Sequence, residues 1–231
     1  MIGFAGVEVI VPSGEGSRTL LHQLDLELVE RRVALVGANG SGKSTLLRLV
    51  NGLVRPTRGT VTVAGFDTVR AGRKVRQRVG FVFTDPLAQL VMPTPVEDVE
   101  LSLRRSVRDR RQRTARALAL LRERGLEHVA RSSVYDLSGG ERQLVALTSV
   151  LAVEPEVVVA DEPTTLLDLR NRIRFREALA ALPQQVVYAT HDLELAAEAE
   201  RVLVVDQGRV VADGPPGPAL QHYRELAAVG L

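Results

Sequence analysis

An eight-residue segment with three glycines, residues 37–44, constrains the fold of this chain more than any other feature of the sequence. It reads Gly-Ala-Asn-Gly-Ser-Gly-Lys-Ser and fits the pattern G-x-x-x-x-G-K-[ST]. An apolar run at residues 33–36 precedes it, and residues 45–50, which follow it, are apolar at helical spacing. The sequence therefore predicts a buried strand, a tight glycine turn and a helix in direct succession.

This turn has the chemistry of a phosphate-binding site. Glycines let the backbone bend so that successive N–H groups face phosphate oxygens, and the start of the helix adds its positive dipole end. In this pattern the lysine reaches the β- and γ-phosphates, and the hydroxyl of the final serine holds Mg²⁺. We therefore predict that the chain binds ATP and Mg²⁺ through Gly37, Ala38, Asn39, Gly40, Ser41, Gly42, Lys43, Ser44 and Thr45.

A second candidate site follows another apolar run. Residues 157–160 predict a buried strand that delivers Asp161 and Glu162 to its carboxyl end, where open α/β sheets bind ligands. There we expect Asp161 to hold Mg²⁺ and Glu162 to polarise a water for attack on the γ-phosphate. Two acids after a strand are a weak signal alone, but they become informative on a chain that already carries a phosphate loop.

The rest of the chain alternates apolar strands with amphipathic helices, which indicates an α/β fold with a largely parallel sheet covered by helices. Further strands are predicted at residues 6–11, 24–28, 60–63, 79–83, 186–189, 202–205 and 209–212, with a glycine-rich turn at 12–17 and a hairpin turn at 206–208. Helices are predicted at residues 95–124, 138–152, 169–182 and 193–200. In the second of these helices Ser138 is the expected N-cap of a capping box with Glu141.

Residues 137–143 separate the possible classes of nucleotide-binding protein. They read Leu-Ser-Gly-Gly-Glu-Arg-Gln and resemble the LSGGQ signature of ATP-binding-cassette (ABC) proteins, with Glu141 at the final position. Ser138, Gly139 and Gly140 would offer a hydroxyl and backbone amides at a helix N-terminus, which is a second anion site. The resemblance implies that this signature acts on the ATP bound by a second cassette.

Other marks of the same family follow in the expected order. Residues 164–168 look like the D-loop, which includes Asp168, and His191 looks like the switch histidine. The resemblance covers nearly the whole chain. It implies that Glu162 and His191 are catalytic.

The resemblance also implies an overall architecture. We expect a P-loop ABC ATPase fold in a single domain at residues 1–231, with a mostly parallel sheet at its core. An antiparallel N-terminal β subdomain and an inserted helical subdomain, at about residues 86–153, complete this expectation.

The sequence departs from the family pattern at two positions. Val11 stands where the family usually has an aromatic residue that stacks on adenine. Thr84 stands where the Q-loop should carry a glutamine, and its side chain is too short for the expected contact with Mg²⁺ or the attacking water. Gln89 lies nearby but corresponds better to a second glutamine of some subfamilies. We therefore expect a basal ATPase rate below that of the family.

Residues 83–99 resemble the energy-coupling-factor (ECF) subfamily, in which a D/N-P-x-x-Q run is followed by V-E-D/E-x-V. That resemblance implies uptake of a vitamin such as biotin, or of cobalt or nickel. It also implies a transmembrane coupling protein and a substrate-binding membrane protein as partners. The apolar stretch at residues 87–92 would suit a groove that accepts a partner's helix. We expect the second cassette to be another copy of the chain.

Composition excludes several other readings. The chain has no cysteine, so disulfide and zinc-thiolate chemistry are ruled out, and its net charge of +2 does not argue for nucleic acid. No segment approaches the roughly 20 apolar residues that a membrane-spanning helix needs. If the protein works at a membrane, as the resemblance implies, we expect it to do so at the cytoplasmic face, through a partner.

Two alternatives remain open at this point. A soluble ABC ATPase that acts on DNA or ribosomes would usually carry coiled-coil insertions or tandem cassettes. A small-molecule kinase would explain residues 37–44 but would leave residues 137–143 and His191 without a role.

Overall fold

The structure, a computed structural model, describes residues 1–14 and 16–229, with two β-sheets and a set of helices. The strands are β1 (Ile2–Ser13), β2 (Gly16–Leu28), β3 (Arg32–Val36), β4 (Arg58–Val63), β5 (Phe66–Asp67), β6 (Val79–Val82), β7 (Val157–Asp161), β8 (Gln185–Ala189), β9 (Arg201–Asp206) and β10 (Arg209–Gly214). The helices are α1 (Lys43–Val50), α2 (Gly72–Arg76), α3 (Pro95–Leu103), α4 (Arg110–Glu123), α5 (Gly139–Leu151), α6 (Leu169–Ala180), α7 (Leu193–Ala197) and α8 (Pro216–Val229). Two short 3₁₀ helices lie at Pro86–Ala88 and Glu127–Val129.

The larger sheet has the strand order β10-β9-β3-β8-β7-β6. Its strands are parallel except for the edge strand β10, which forms a hairpin with β9. The smaller sheet, with the order β2-β1-β4-β5, is antiparallel. The predicted parallel core, N-terminal antiparallel sheet and hairpin are therefore confirmed.

Both faces of the larger sheet are covered, because alternate strand residues point to opposite sides. On β7, Val157 and Val159 face the core that contains α1 and the smaller sheet. Val158 and Ala160 face the core that contains α3 to α6. A central strand buried on both faces explains why this segment appears in the sequence as a continuous apolar run.

A helical region connects β6 to its neighbour β7. It contains α3, α4 and α5, together with both 3₁₀ helices. The helical pattern predicted at residues 95–124 corresponds to two helices, because α3 ends at Leu103 and a new helix begins at Arg110. Asp109 causes the restart, since its side chain accepts a hydrogen bond from Gln112 N at 2.8 Å and caps α4.

Some boundaries differ from the predicted ones. The turn at residues 12–17 is shorter, because β1 continues to Ser13 and β2 resumes at Gly16; Glu15 lies outside the described residues. The helix predicted at 193–200 ends at Ala197. β5 and α2 were not predicted, because they span two and five residues and are too short for a period to be visible; α8 was not predicted either.

Arg201, the first residue of β9, joins the two sheets. Its guanidinium donates to Asp213 of β10 at 2.6 Å and to the carbonyl of Glu27, near the end of β2, at 2.9 Å. It also donates to Glu30 at 3.1 Å. These contacts hold the small sheet over the side of the large sheet on which α1 lies. Within the described part of the chain, no helix is long and apolar enough to span a bilayer.

Candidate functional site

Residues 37–42 form the loop between β3 and α1, and this loop wraps around the ammonium group of Lys43. Lys43 Nζ donates hydrogen bonds to the carbonyls of Gly37 at 2.8 Å and Ala38 at 3.1 Å. Burial lowers the pKa of Lys43, although the nearby carboxylates of Glu162 and Asp161 act in the opposite direction. The ammonium is thus held by the backbone of the loop itself.

Gly37 is required by close packing. A Cβ at this position would lie 2.0 Å from the carbonyl oxygen of Val205, in the neighbouring strand β9, and 2.8 Å from Ser41 Oγ. The loop therefore passes directly against the sheet at its carboxyl edge. Ser41 Oγ is buried and has no hydrogen-bond partner among the described residues. An oxygen of a bound phosphate would satisfy it.

The last residue of β7, Asp161, lies beside the start of α1. Ser44 Oγ donates to Asp161 Oδ1 at 2.8 Å, and Arg48 lies 3.5 Å from Asp161 Oδ2. A serine hydroxyl, a carboxylate and phosphate oxygens are the kind of ligands that Mg²⁺ takes in nucleotide sites. Ser44 and Asp161 therefore fit a magnesium ion bound together with a nucleotide. No cluster of three or more His, Asp or Glu side chains with metal-binding geometry occurs in residues 1–14 and 16–229.

Glu162 and His191 meet at the ends of β7 and β8. Glu162 Oε2 accepts a hydrogen bond from His191 N at 3.1 Å, and His191 Nε2 lies 3.1 Å from Glu162 Oε1. The other carboxylate neighbours are Lys43 Nζ at 3.8 Å and the hydroxyl of Thr165 at 3.1 Å. His191 Nε2 also lies 2.9 Å from the side-chain oxygen of Asn39. The acid and the histidine predicted from separate segments are therefore in contact.

Glu162 has a backbone φ of 50°, in the left-handed region that non-glycine residues seldom adopt. Its N–H donates to the carbonyl of Ala189, the last residue of β8, at 3.1 Å. Such strained positions persist where the surrounding structure fixes them, often at functional sites. The conformation turns the chain sharply after β7.

A pocket of about 210 Å³ lies over the loop and is lined by Lys43, Glu162 and two residues of β2, Arg18 and Leu20, among others. Arg18 and Leu20 were not predicted. The structure pairs Arg18 with Val11 across the β1–β2 hairpin, a register that the sequence alone does not indicate. A larger cavity of about 570 Å³, near the amino ends of β6 and β7, contains none of the predicted site residues in its lining.

Thr84, at the expected Q-loop position, does not extend into this pocket. Its hydroxyl donates to the main-chain carbonyl of Asp161 at 2.7 Å and ties the end of β6 to the end of β7. Gln89 accepts a hydrogen bond from Phe83 N at 3.1 Å, and its amide donates to the carbonyl of Ala146 at 3.3 Å. Both side chains are therefore bonded to the protein's own backbone.

The predicted signature lies at the start of α5 and does not line the pocket over the loop. Ser138 caps α5 and forms a reciprocal capping box with Glu141, as predicted. Asp168 caps α6 by accepting from Asn171 N at 2.8 Å. A Cβ at Gly140 would lie 2.1 Å from the Asn171 side chain, so α5 and α6 touch at this glycine.

A glycine loop at the carboxyl edge of a parallel sheet, with a buried lysine and two acids at the end of β7 in the same sheet, defines a P-loop nucleotide-binding protein. The model of the ABC transporter family matches residues 21–165, more than half of the chain. The chain therefore belongs to the ABC transporter family. It is an ATP-binding ATPase subunit whose activity is coupled to transport.

Similar proteins agree with this family. A biotin transport ATP-binding protein, BioM of Rhizobium etli, is 43% identical over 213 residues, which cover 92% of this chain and 95% of the relative. An energy-coupling factor transporter ATP-binding protein, EcfA1 of Halalkalibacterium halodurans, is 36% identical over 92% of this chain and 78% of its own. A solved dimeric ATP-binding cassette, MJ0796 bound to ADP and Pi, superimposes with a TM-score of 0.85 at 31% identity, covering 94% of this chain and 99% of that one.

Proposed function

We propose that this chain is the ATP-hydrolysing, energy-coupling subunit of a membrane uptake transporter of the ECF type. We further propose that residues 1–231 form one ABC ATPase domain with a helical subdomain at about residues 86–153. The observation that carries the proposal is the meeting of Lys43, Glu162 and His191 at the carboxyl edge of a parallel sheet. The similarity to proteins named for energy coupling and biotin transport supports the transport role.

In this proposal the residues of the site have separate tasks. The backbone amides of residues 37–45 bind the nucleotide phosphates, and Lys43 offsets the charge of the β- and γ-phosphates. Glu162 accepts a hydrogen bond from the attacking water and polarises it. His191 holds the Glu162 carboxylate through its backbone N–H and lies where it can contact the γ-phosphate. Mg²⁺ bound at Ser44 and Asp161 would neutralise phosphate charge.

We propose that two copies of the chain close on two ATP molecules, each bound between one copy's phosphate loop and the other's Ser138, Gly139, Gly140 and Glu141. In one copy the signature lies outside the pocket over the loop, which supports a site completed by a second copy. Exposed apolar side chains near the signature and the D-loop support a contact surface there. They are Tyr135, Leu166 and Leu169.

We propose two kinds of membrane partner for this pair, a transmembrane coupling protein and a substrate-binding membrane protein, with the cassettes at the cytoplasmic face. The segment at residues 87–92 supports this, because Val91 is 70% exposed although the loop around it is fixed. Asp98 accepts hydrogen bonds from Val91 N and Met92 N and thereby fixes the loop. Biotin, another vitamin, or cobalt or nickel is the proposed cargo, recognised by the membrane protein.

The test uses the variant Glu162→Gln, which keeps the size of the side chain but loses its negative charge. We expect this variant to bind ATP, to hydrolyse it at least about 100-fold more slowly because water is no longer polarised, and to accumulate as a dimer. Light scattering with and without MgATP measures the dimer, and phosphate release measures hydrolysis.

The matched control adds Lys43→Ala to the same variant, which removes the phosphate contact, and it should stay monomeric at all ATP concentrations. ADP in place of ATP should also leave the first variant monomeric. A Glu162→Gln chain that remains monomeric at saturating MgATP would refute the proposed two-cassette mechanism.

A further inference from the structure

The signature of this chain ends in an acid, and this places a negative charge where a γ-phosphate is proposed to bind. Glu141 Oε2 accepts hydrogen bonds from Ser138 N at 2.8 Å and from Ser138 Oγ at 2.7 Å. The Ser138 hydroxyl bond holds the pKa of Glu141 below its ordinary value, so the carboxyl group is ionised at neutral pH. A bound phosphate would meet this carboxylate directly behind the serine hydroxyl.

A histidine contacts the second oxygen of the same carboxylate. His128 Nε2 lies 3.0 Å from Glu141 Oε1, within hydrogen-bond distance. His128 belongs to the 3₁₀ helix Glu127–Val129, thirteen residues before Glu141, and its side chain is 65% exposed. Although the His128 side chain is largely exposed, it supplies the contact to the carboxylate oxygen of Glu141 that Ser138 does not bind.

The neighbouring arginines are bound to other groups. Arg142 donates to the carbonyls of Val134 at 2.9 Å and Tyr135 at 2.6 Å, so it lies against the preceding loop. Arg122 forms an ion pair with Glu127 at 2.6 Å. Among the described residues, the basic side chain that contacts Glu141 is therefore His128.

We propose that His128 is a positioning residue for the signature: its ring contact anchors the Glu141 carboxylate and holds it away from the phosphate, so that Ser138 and the amides of Gly139 and Gly140 can receive the γ-phosphate of ATP held by the second copy. This inference rests on the proposed two-cassette function. It predicts that His128 matters only while residue 141 is an acid, because a neutral amide there would not repel phosphate.

The experiment measures ATP-driven dimerisation of Glu162→Gln chains, in which hydrolysis does not consume the complex. We expect His128→Ala to raise the MgATP concentration for half-maximal dimer by about twofold to fivefold, the upper part of the range for an exposed contact with a carboxylate. Adding Glu141→Gln should remove this effect, so that chains with and without His128 dimerise at the same MgATP concentration. Light scattering across an ATP titration gives all four midpoints.

The matched control is Arg122→Ala, which also removes a side chain that binds a carboxylate in the same region, that of Glu127, but does not contact Glu141. Its midpoint should equal that of the parent chain. The unfolding temperature of each variant is measured alongside, and His128→Ala should retain it, since the side chain is largely exposed.

Two results overturn the inference alone. In the first, the parent chain dimerises with ATP and His128→Ala leaves the MgATP concentration for half-maximal dimer unchanged. In the second, His128→Ala raises that concentration just as much when residue 141 is glutamine. If the parent chain stays monomeric with ATP, that result refutes the proposed two-cassette function, and the inference about His128 fails with it. The two failures are thus distinguishable.

Discussion

Thr84 lies between the ends of two strands, and its hydroxyl is hydrogen-bonded to the backbone. The bond to the Asp161 carbonyl at 2.7 Å joins β6 to β7 next to the candidate magnesium ligands. A glutamine at this position would carry its amide further from the backbone than the Thr84 hydroxyl. The short side chain instead uses its hydroxyl to bond the backbone next to the site.

We predict that Thr84→Gln increases the rate of ATP hydrolysis. The amide should help to orient the attacking water, with a rise in kcat of about tenfold, which corresponds to ~1.4 kcal/mol of transition-state stabilisation. The same change should lower the free energy of unfolding by about 1 kcal/mol, because the hydroxyl bond is lost. Steady-state phosphate release and thermal unfolding are the two measurements.

The control for this change is Thr84→Val, which has nearly the same shape and also lacks the hydroxyl. It should show the same loss of stability and no gain in rate. An unchanged rate in Thr84→Gln would mean that the short residue does not limit hydrolysis.

At the scale of elements, the contact between α5 and α6 depends on a missing side chain. Gly140, in the first turn of α5, faces Asn171 of α6, which Asp168 holds at that helix's N-terminus through both its N–H and its amide. Gly139, one residue earlier, has only the carbonyl of Leu166 within range of a Cβ, at 3.6 Å. The two adjacent glycines therefore have different structural tolerances.

We predict different effects on stability for alanine at these two positions. Gly140→Ala should lower the free energy of unfolding by about 1–3 kcal/mol, because its Cβ would lie 2.1–2.6 Å from Asn171 atoms and this overlap exceeds the gain of about 0.5–1 kcal/mol that alanine brings to a helix. Gly139→Ala meets an ordinary contact distance and should be neutral or slightly stabilising. Thermal unfolding should resolve the difference, at about 2–4 °C per kcal/mol for a domain of this size.

Relieving the overlap provides the check on this interpretation. Asn171→Gly removes the opposing side chain. In chains that carry Asn171→Gly, the change Gly140→Ala should therefore lower the free energy of unfolding by less than it does in the unmodified chain. Equal losses in the two backgrounds would mean that Asn171 is not the cause.

At the scale of the whole molecule, the loop after β6 has two different sides. Its inner side is fixed, because Gln89 and Asp98 bond to backbone groups and Leu90 is buried. Its outer side presents Val91 next to a groove of about 240 Å³ that is also lined by Leu101 and Val150. A fixed backbone with an exposed apolar side chain is suited to transmitting a movement to a docked helix.

We predict that Val91→Asp disrupts binding of the proposed transmembrane coupling protein, because a carboxylate would have to be buried against an apolar helix. Co-purification of the chain with its membrane partners should fall by at least about tenfold, as expected for a loss of ~1.4 kcal/mol or more. Quantitative mass spectrometry of the purified complex measures the ratio of partner to cassette.

The control is Val29→Asp, since Val29 is also exposed, at 62%, but lies in the loop after β2. It should co-purify with the partners as the unmodified chain does. Retention of the partners by Val91→Asp would locate the docking surface elsewhere on the cassette.

The sequence by itself determined the features that depend on neighbouring residues. The apolar run before residues 37–44, the helical spacing after them and the capping box at Ser138 are all local, and each lies where its pattern predicts. The contact of Glu162 with His191 was also foreseeable, because parallel strands bring their carboxyl ends to one edge. Local sterics and strand direction carry this information along the chain.

Only the tertiary structure decided the contacts between residues that are distant in sequence. Nothing near Thr84 indicates a bond to Asp161, nothing near His128 indicates Glu141, and Arg18 lines the phosphate pocket only because the small sheet covers the loop. These contacts follow from strand order, sheet packing and the joint at Arg201. A side chain's partner is set by distances across the fold, and a pattern of residue types along the chain does not contain those distances.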